Sequence, residues 1–136
     1  IPVGVMIAPV IPGLNEPELE SLMDASAAAG ARDIRYILLR LPGELATLFD
    51  EWLHTHAPLK ARRVWRLVRG TRDGAVYRPD FGSRMRGTGA VADLIAARFQ
   101  KRHRRLDLPG IAPLVHEHFR PPLDRDASAT QLHLDW

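Results

Sequence analysis

The residues best placed to do chemistry in this chain are arginines. Positions 60–105 hold fourteen of the nineteen Lys and Arg side chains and only three acidic ones, a balance of +11, against −5 over residues 1–59 and −3 over residues 106–136. The net charge of +3 therefore hides a strong partition. A block of one sign makes a local field suited to a polyanion, and arginine's planar fork meets phosphate in bidentate fashion. Arg62, Arg66 and Arg69 recur at helical spacing on one side of a segment whose Val64, Leu67 and Val68 face inward. Arg84 and Arg86 precede Gly87-Thr88-Gly89 and a helix start, so two guanidinium groups, free backbone N–H groups and a helix dipole would converge on one anion. The competing reading is a glycine loop whose arginines pair with Asp80 or Asp93, and the loop lacks the Gly-Lys-Ser/Thr ending of a P-loop. Arg98, Lys101, Arg102, Arg104 and Arg105 crowd the end of a later helix, where attraction to the helix C-terminus accounts for some of them. The block as a whole reads as a nucleic-acid-facing surface. Without zinc-finger or helix-turn-helix spacing, its contacts would be to phosphate rather than to base edges.

Other chemistries find less support. There is no cysteine, which excludes both a disulfide framework and a thiolate metal site. His54 and His56, like His116 and His118, are two residues apart and on a helix would point about 200° away from each other. No HExxH pattern accompanies them, and Ser21, Ser26 and Ser128 have no triad context. Trp52 and Trp65 sit in apolar stripes and read as core. At 46% hydrophobic and 26% charged the chain has an ordinary globular composition. The apolar opening from Ile1 to Val10 has no basic leader and is cut by Pro2, Gly4 and Pro9, so it is read as neither a signal peptide nor a membrane span, and a cytoplasmic location is expected. It begins directly in strand-like residues, as a cut through a domain would.

The elements that must position the arginines follow from periodicity. Val3 to Ala8 predicts a strand buried on both faces. Asn15 and Glu18 predict a capping box, followed by a helix with Leu19, Leu22, Met23, Ser26 and Ala29 on one face and Gly30 as its stop. Ile34 to Leu41 predicts a second strand closed by Pro42, which makes a parallel βαβ unit with a right-handed crossover. Leu45, Leu48, Phe49, Trp52, Leu53 and His56 mark a helix, and Pro58 opens another. Residues 70–89 read as a loop, with a hairpin at Asp73-Gly74, and Ala90 to Leu106 as a helix with Val91, Leu94, Ile95 and Phe99 as its stripe. Beyond Leu108 the prolines multiply, and little regular structure is expected except around Ile111 to Phe119. The fold class is α/β, divided into a βαβ part over 1–42, a basic helical extension over 43–108 and a proline-rich tail over 109–136. Two parallel strands make no stable sheet alone, so the unit needs neighbours.

Three stretches carry a family resemblance. Ile1-Pro-Val-Gly-Val-Met-Ile-Ala-Pro-Val-Ile-Pro-Gly-Leu-Asn15 resembles the fifth strand and following loop of radical S-adenosylmethionine (SAM) proteins related to spore photoproduct lyase. Tyr36-Ile-Leu-Leu-Arg-Leu-Pro42 resembles their sixth strand. Phe81-Gly-Ser-Arg-Met-Arg-Gly-Thr-Gly89 resembles the arginine- and glycine-rich loop of the branch labelled DNA repair photolyase. The resemblance spans roughly residues 1–106 and lies in the combination of pieces. It implies the C-terminal part of a partial barrel of six βα units, followed by an arginine-rich extension. It also implies a parent iron–sulfur enzyme, in which a 4Fe–4S cluster held by a CxxxCxxC motif cleaves SAM to a deoxyadenosyl radical. Lyase-like action on damaged DNA follows by family analogy only. The departure at the cluster is complete, since no cysteine is present, so this chain alone would not start radical chemistry and the missing N-terminal half of the barrel becomes an implied partner. The family's GxIxGxxE pattern corresponds to Pro9-Val-Ile-Pro-Gly-Leu-Asn-Glu16, with Pro9 in place of the first glycine. On that resemblance Pro9, Ile11 and Gly13 contact SAM, with Ile11 against adenine, although a plain strand–turn–helix junction uses the same residues. Arg40 ends the second strand, where ligands of such sheets collect, and is either a cofactor contact or a surface salt bridge. The alternative function is a non-catalytic nucleic-acid-binding module.

The C-terminus adds one further resemblance. Gln131, Leu132, Leu134 and Trp136, in Gln-Leu-His-Leu-Asp-Trp136, are similar to the short Gln-Leu-x-Leu peptides with which bacterial DNA-repair proteins dock on the sliding clamp. Gln131 would bond at a pocket rim and the apolar residues would anchor an extended peptide. A terminal segment whose Trp136 packs back on the body is the plainer reading.

Overall fold

The computed structural model describes residues 1–113 and 115–120, and the Gln131–Trp136 motif lies outside them. The chain is α/β, with strand β1 (Gly4–Val10), helix α1 (Leu19–Ala28), strand β2 (Asp33–Leu38), then α2 (Leu45–His56), α3 (Pro58–Gly70) and α4 (Gly89–Leu106). The two strands are parallel and pair Val5 with Ile34 and Ile7 with Tyr36. The register shifts between Ile7 and Val10, where Pro9 has no N–H to give to a ladder.

One face of this small sheet is covered. Val10, Ile34 and Leu38 are buried with Leu19 and Met23 of α1 and Ala92 and Ile95 of α4, and Val5, Ile7, Tyr36 and Phe99 pack around them. Tyr36 and Phe99 lie with ring centroids 4.7 Å apart. The strand expected to be buried on both faces is not: Gly4, Met6 and Ala8 are exposed, because both helices pack on the opposite face. No strand among the described residues pairs with the second edge of β1.

A second core lies beyond the carboxyl ends of the strands. Leu53 of α2 and Ala61, Val64 and Val68 of α3 enclose Leu41, with Ile11, Leu14, Leu39, Phe49 and Trp65 at the margin. The α2 stripe is narrower than its periodicity predicts, since Leu45, Leu48 and Trp52 remain exposed. On α4, Ala92 takes the buried place expected of Leu94, which is 60% exposed.

Two local expectations change. Asn15 does not cap a helix. Its Oδ1 accepts the Ile11 N–H at 2.6 Å and its Nδ2 donates to the Pro9 carbonyl at 3.0 Å, so it ties off the end of β1. Glu16–Glu18 then form a single 3-10 turn ahead of α1, where Pro17 removes one of the N–H groups that a cap would satisfy. Asp73-Gly74 makes no hairpin. With φ of 52° and 85° these residues close a turn on the end of α3, where the Gly74 N–H donates to the Arg69 carbonyl at 2.9 Å.

Candidate functional site

Helix α3 is built to hold one basic face outward. Pro58 stands in its first turn, where no N–H is needed. Ala61, Val64 and Val68 are buried, which turns Arg62, Arg66 and Arg69 to the outside. The helix has five cationic residues and no acidic one. Among the described residues, none of Arg62, Arg66 or Arg69 takes part in an ion pair.

Beside them runs a groove of about 850 Å³ between α2 and α3, lined by Asp50, His54, Arg62, Trp65, Arg66 and Arg69. Trp65, expected as plain core, is half-buried and polar at one end. Its indole N–H donates to Asp50 Oδ1 at 2.5 Å, and Phe49 meets its ring edge-on at 5.6 Å. The Arg69 guanidinium lies 5.8 Å from the ring centroid. Asp50 Oδ2 is also 3.5 Å from His54 Nδ1. The ring is thereby fixed in orientation with the Arg69 cation beside it, so that aromatic surface and positive charge lie together in the groove.

The loop between α3 and α4 is seated over the end of β2. The Leu38 N–H donates to the Met85 carbonyl at 3.0 Å. Arg84 lies with its guanidinium 5.2 Å from the Phe81 ring centroid, and Arg86 is exposed. Two of the N–H groups expected to be free here are engaged within the loop. The Gly87 N–H bonds the Ser83 carbonyl at 2.7 Å and the Thr88 N–H bonds the Thr71 carbonyl at 3.0 Å. The acids of this loop turn to Arg78, which lies 3.4 Å from Asp73 and 4.0 Å from Asp80. Burial pushes the pKa of Tyr36 up, and the positive charge of Arg86 offsets part of that.

Arg98 and Arg102 face a different task. Arg98 donates to Glu20 at 2.8 and 2.6 Å and also pairs with Glu16. Arg102 Nε donates to Asp24 Oδ1 at 2.5 Å, which raises its pKa further. These bonds fasten α4 to the α1 side, so the two guanidinium groups are already partnered. The structure thus gathers Arg62, Arg66 and Arg69 on one helix face, sets Arg84 and Arg86 on the loop, and engages Arg98 and Arg102 in ion pairs with the α1 side.

Comparisons of the chain with protein-family models, with curated proteins and with solved structures return no match. The groups implied by the family resemblance can be held only against the residues themselves. No cysteine exists to ligate an iron–sulfur cluster, and no cluster of three or more His, Asp or Glu suited to a metal occurs among the described residues. For SAM the fit is also poor. Ile11 packs at the margin of the second core. Gly13 is covered by α3, where a Cβ would stand 2.8 Å from Leu67 Cδ1. Pro9 is exposed on β1, its carbonyl taken by Asn15. Arg40 is half-buried, with Nη2 donating to the Tyr77 hydroxyl at 3.3 Å. It therefore makes no surface salt bridge among the described residues. No helix among them is long and apolar enough to cross a membrane. Nothing in the sequence pattern marks Arg72 and Tyr77, since only the folded loop sets them beside Arg40.

Proposed function

We propose that this chain is the nucleic-acid-contacting portion of a radical SAM protein related to spore photoproduct lyase. In this reading α3 lies along a phosphate backbone and the cluster ligands come from outside these residues. The observation that carries the proposal is the Arg62–Arg66–Arg69 face, whose guanidinium groups have no carboxylate partner among the described residues and lie beside a fixed, half-buried Trp65. Guanidinium groups track phosphates and an aromatic face stacks on a base whatever its identity, which together favour binding that ignores sequence. Support for the barrel comes from β1, which is apolar on both faces yet covered on one. Lyase-like repair of DNA remains the activity that the family analogy suggests for the parent protein.

Fluorescence anisotropy of a labelled duplex over a series of salt concentrations tests the surface. If four to six basic residues touch phosphate, log K should fall against log salt with a slope of roughly −3.6 to −5.4. Changing Arg62, Arg66 and Arg69 together to Gln should flatten that slope by about 2.7. Affinity that is unchanged from low to high salt, or a slope untouched by the triple variant, rules out this surface.

A further inference from the structure

A second group of arginines, off the α3 face, remains without a role. Arg72 is only 2% exposed. Among the described residues, its Nη1 donates to the Ser83 carbonyl at 3.2 Å and its Nη2 to the Leu39 carbonyl at 3.0 Å, while its Nε–H is buried with no acceptor. Arg40 follows Leu39 directly. Among the same residues its Nη1 meets only the Met85 sulfur at 3.6 Å, its Nη2 only the Tyr77 hydroxyl at 3.3 Å, and its Nε–H is likewise buried and unmet.

Each guanidinium carries five N–H donors, so most of the donors here are weakly met or unmet. Neither arginine forms an ion pair among the described residues. The acids that follow Arg72 in sequence are engaged elsewhere, Asp73 with Arg78 and Thr88 and Asp80 with Arg78. Burial, and then the neighbouring charge of Arg40, push the pKa of Arg72 down. A buried cation without a counter-charge is costly. What the place lacks is negative charge with several lone pairs. It lies just past the carboxyl end of β2, the end at which parallel sheets receive ligands.

We propose that Arg40 and Arg72 form a binding site for a small oxyanion, a phosphoryl or carboxylate group, received between the end of β2 and the Tyr77–Met85 loop. Arg72, held by two carbonyls, is the fixed half of the site. Arg40, held by a thioether and a phenol, is the half that turns onto the ligand. The site is separate from the α3 face, so it stands or falls independently of the nucleic-acid reading.

The test is calorimetric titration of the full chain with inorganic phosphate and, separately, with acetate, in chloride buffer at constant ionic strength. Saturable binding is expected, with Arg40→Gln weakening it about tenfold, the size expected for one charged hydrogen bond. The exposed Arg35, which belongs to neither surface, supplies the control, and Arg35→Gln should leave binding unchanged, while Arg62→Gln/Arg66→Gln reports any phosphate held by the α3 face. Phosphate should also raise the Tm of the unaltered chain and not that of Arg40→Gln, whose fold is checked by circular dichroism. Tighter binding of phosphate assigns a phosphoryl ligand, and tighter binding of acetate a carboxylate; either result keeps the site. No saturable binding of either anion overturns it, as does an Arg40→Gln chain that binds as well as the original. Loss confined to the α3 variant moves the anion to that helix and overturns it too.

Discussion

Gly87 shows how closely the arginine loop is seated. Its φ is 74°, and a Cβ there would stand 2.8 Å from the Thr71 carbonyl oxygen and 2.9 Å from Leu38 Cδ1. A carbonyl at the end of α3 has little freedom to retreat, so a methyl group must lift the loop away from β2. The left-handed backbone adds about 1–2 kcal/mol for any residue with a Cβ. Gly87→Ala is expected to lower the unfolding free energy by more than about 2 kcal/mol in urea titrations. Gly74→Ala is the matched control, since its φ is 85° but nothing lies within 4 Å of its Cβ position. It should cost only about 1 kcal/mol. Equal costs at the two positions would show that the backbone, and not the close approach to Thr71, sets the need for glycine at 87.

Among the elements, α4 depends most on charge. Arg98 is fixed between Glu16 and Glu20, with side-chain exposures of 29%, 20% and 34%. Arg98→Ala leaves the two carboxylates without their shared cation and should destabilise the chain by about 1–2 kcal/mol at low salt. The deficit should shrink in 1 M salt, where screening acts over about 3 Å. A deficit independent of salt would mean that the side chain acts by packing alone. This pairing also marks where the sequence stops being legible. Periodicity locates the βαβ unit and the three later helices to within a few residues, because burial of one face imprints a local pattern. It locates the outward face of α3 for the same reason. It does not reveal that Arg98 and Arg102 are already partnered, since their partners lie 78 to 82 residues away. The burial of Arg72 is hidden likewise, because it depends on two carbonyls from segments 33 and 11 residues off. Asn15 fits a helix cap and a strand tie equally well until Pro17 is weighed.

For the molecule as a whole, the uncovered side of β1 is the main liability. Val3 and Met6 are 57% and 53% exposed, beside an edge with no pairing strand among the described residues. An open edge with apolar neighbours is a template for a second chain. The isolated chain should therefore self-associate with rising concentration in sedimentation experiments, and Met6→Lys should shift it toward monomer with a stability change under about 1 kcal/mol. A chain that stays monomeric throughout would show that this face is tolerated in water. The return of α4 onto the strands has a consequence in time as well. Ala92 and Ile95 close a core whose earlier residues, from Val10 to Leu38, precede them by more than fifty positions. At a synthesis rate of about 5–20 residues per second, that interval leaves the part of the face that α4 covers, beside α1, open for roughly 3–12 seconds on the ribosome. Mutations that weaken α4 should therefore lower the yield of soluble chain more than their equilibrium cost suggests, because the nascent βαβ unit is covered only by α1 until α4 emerges.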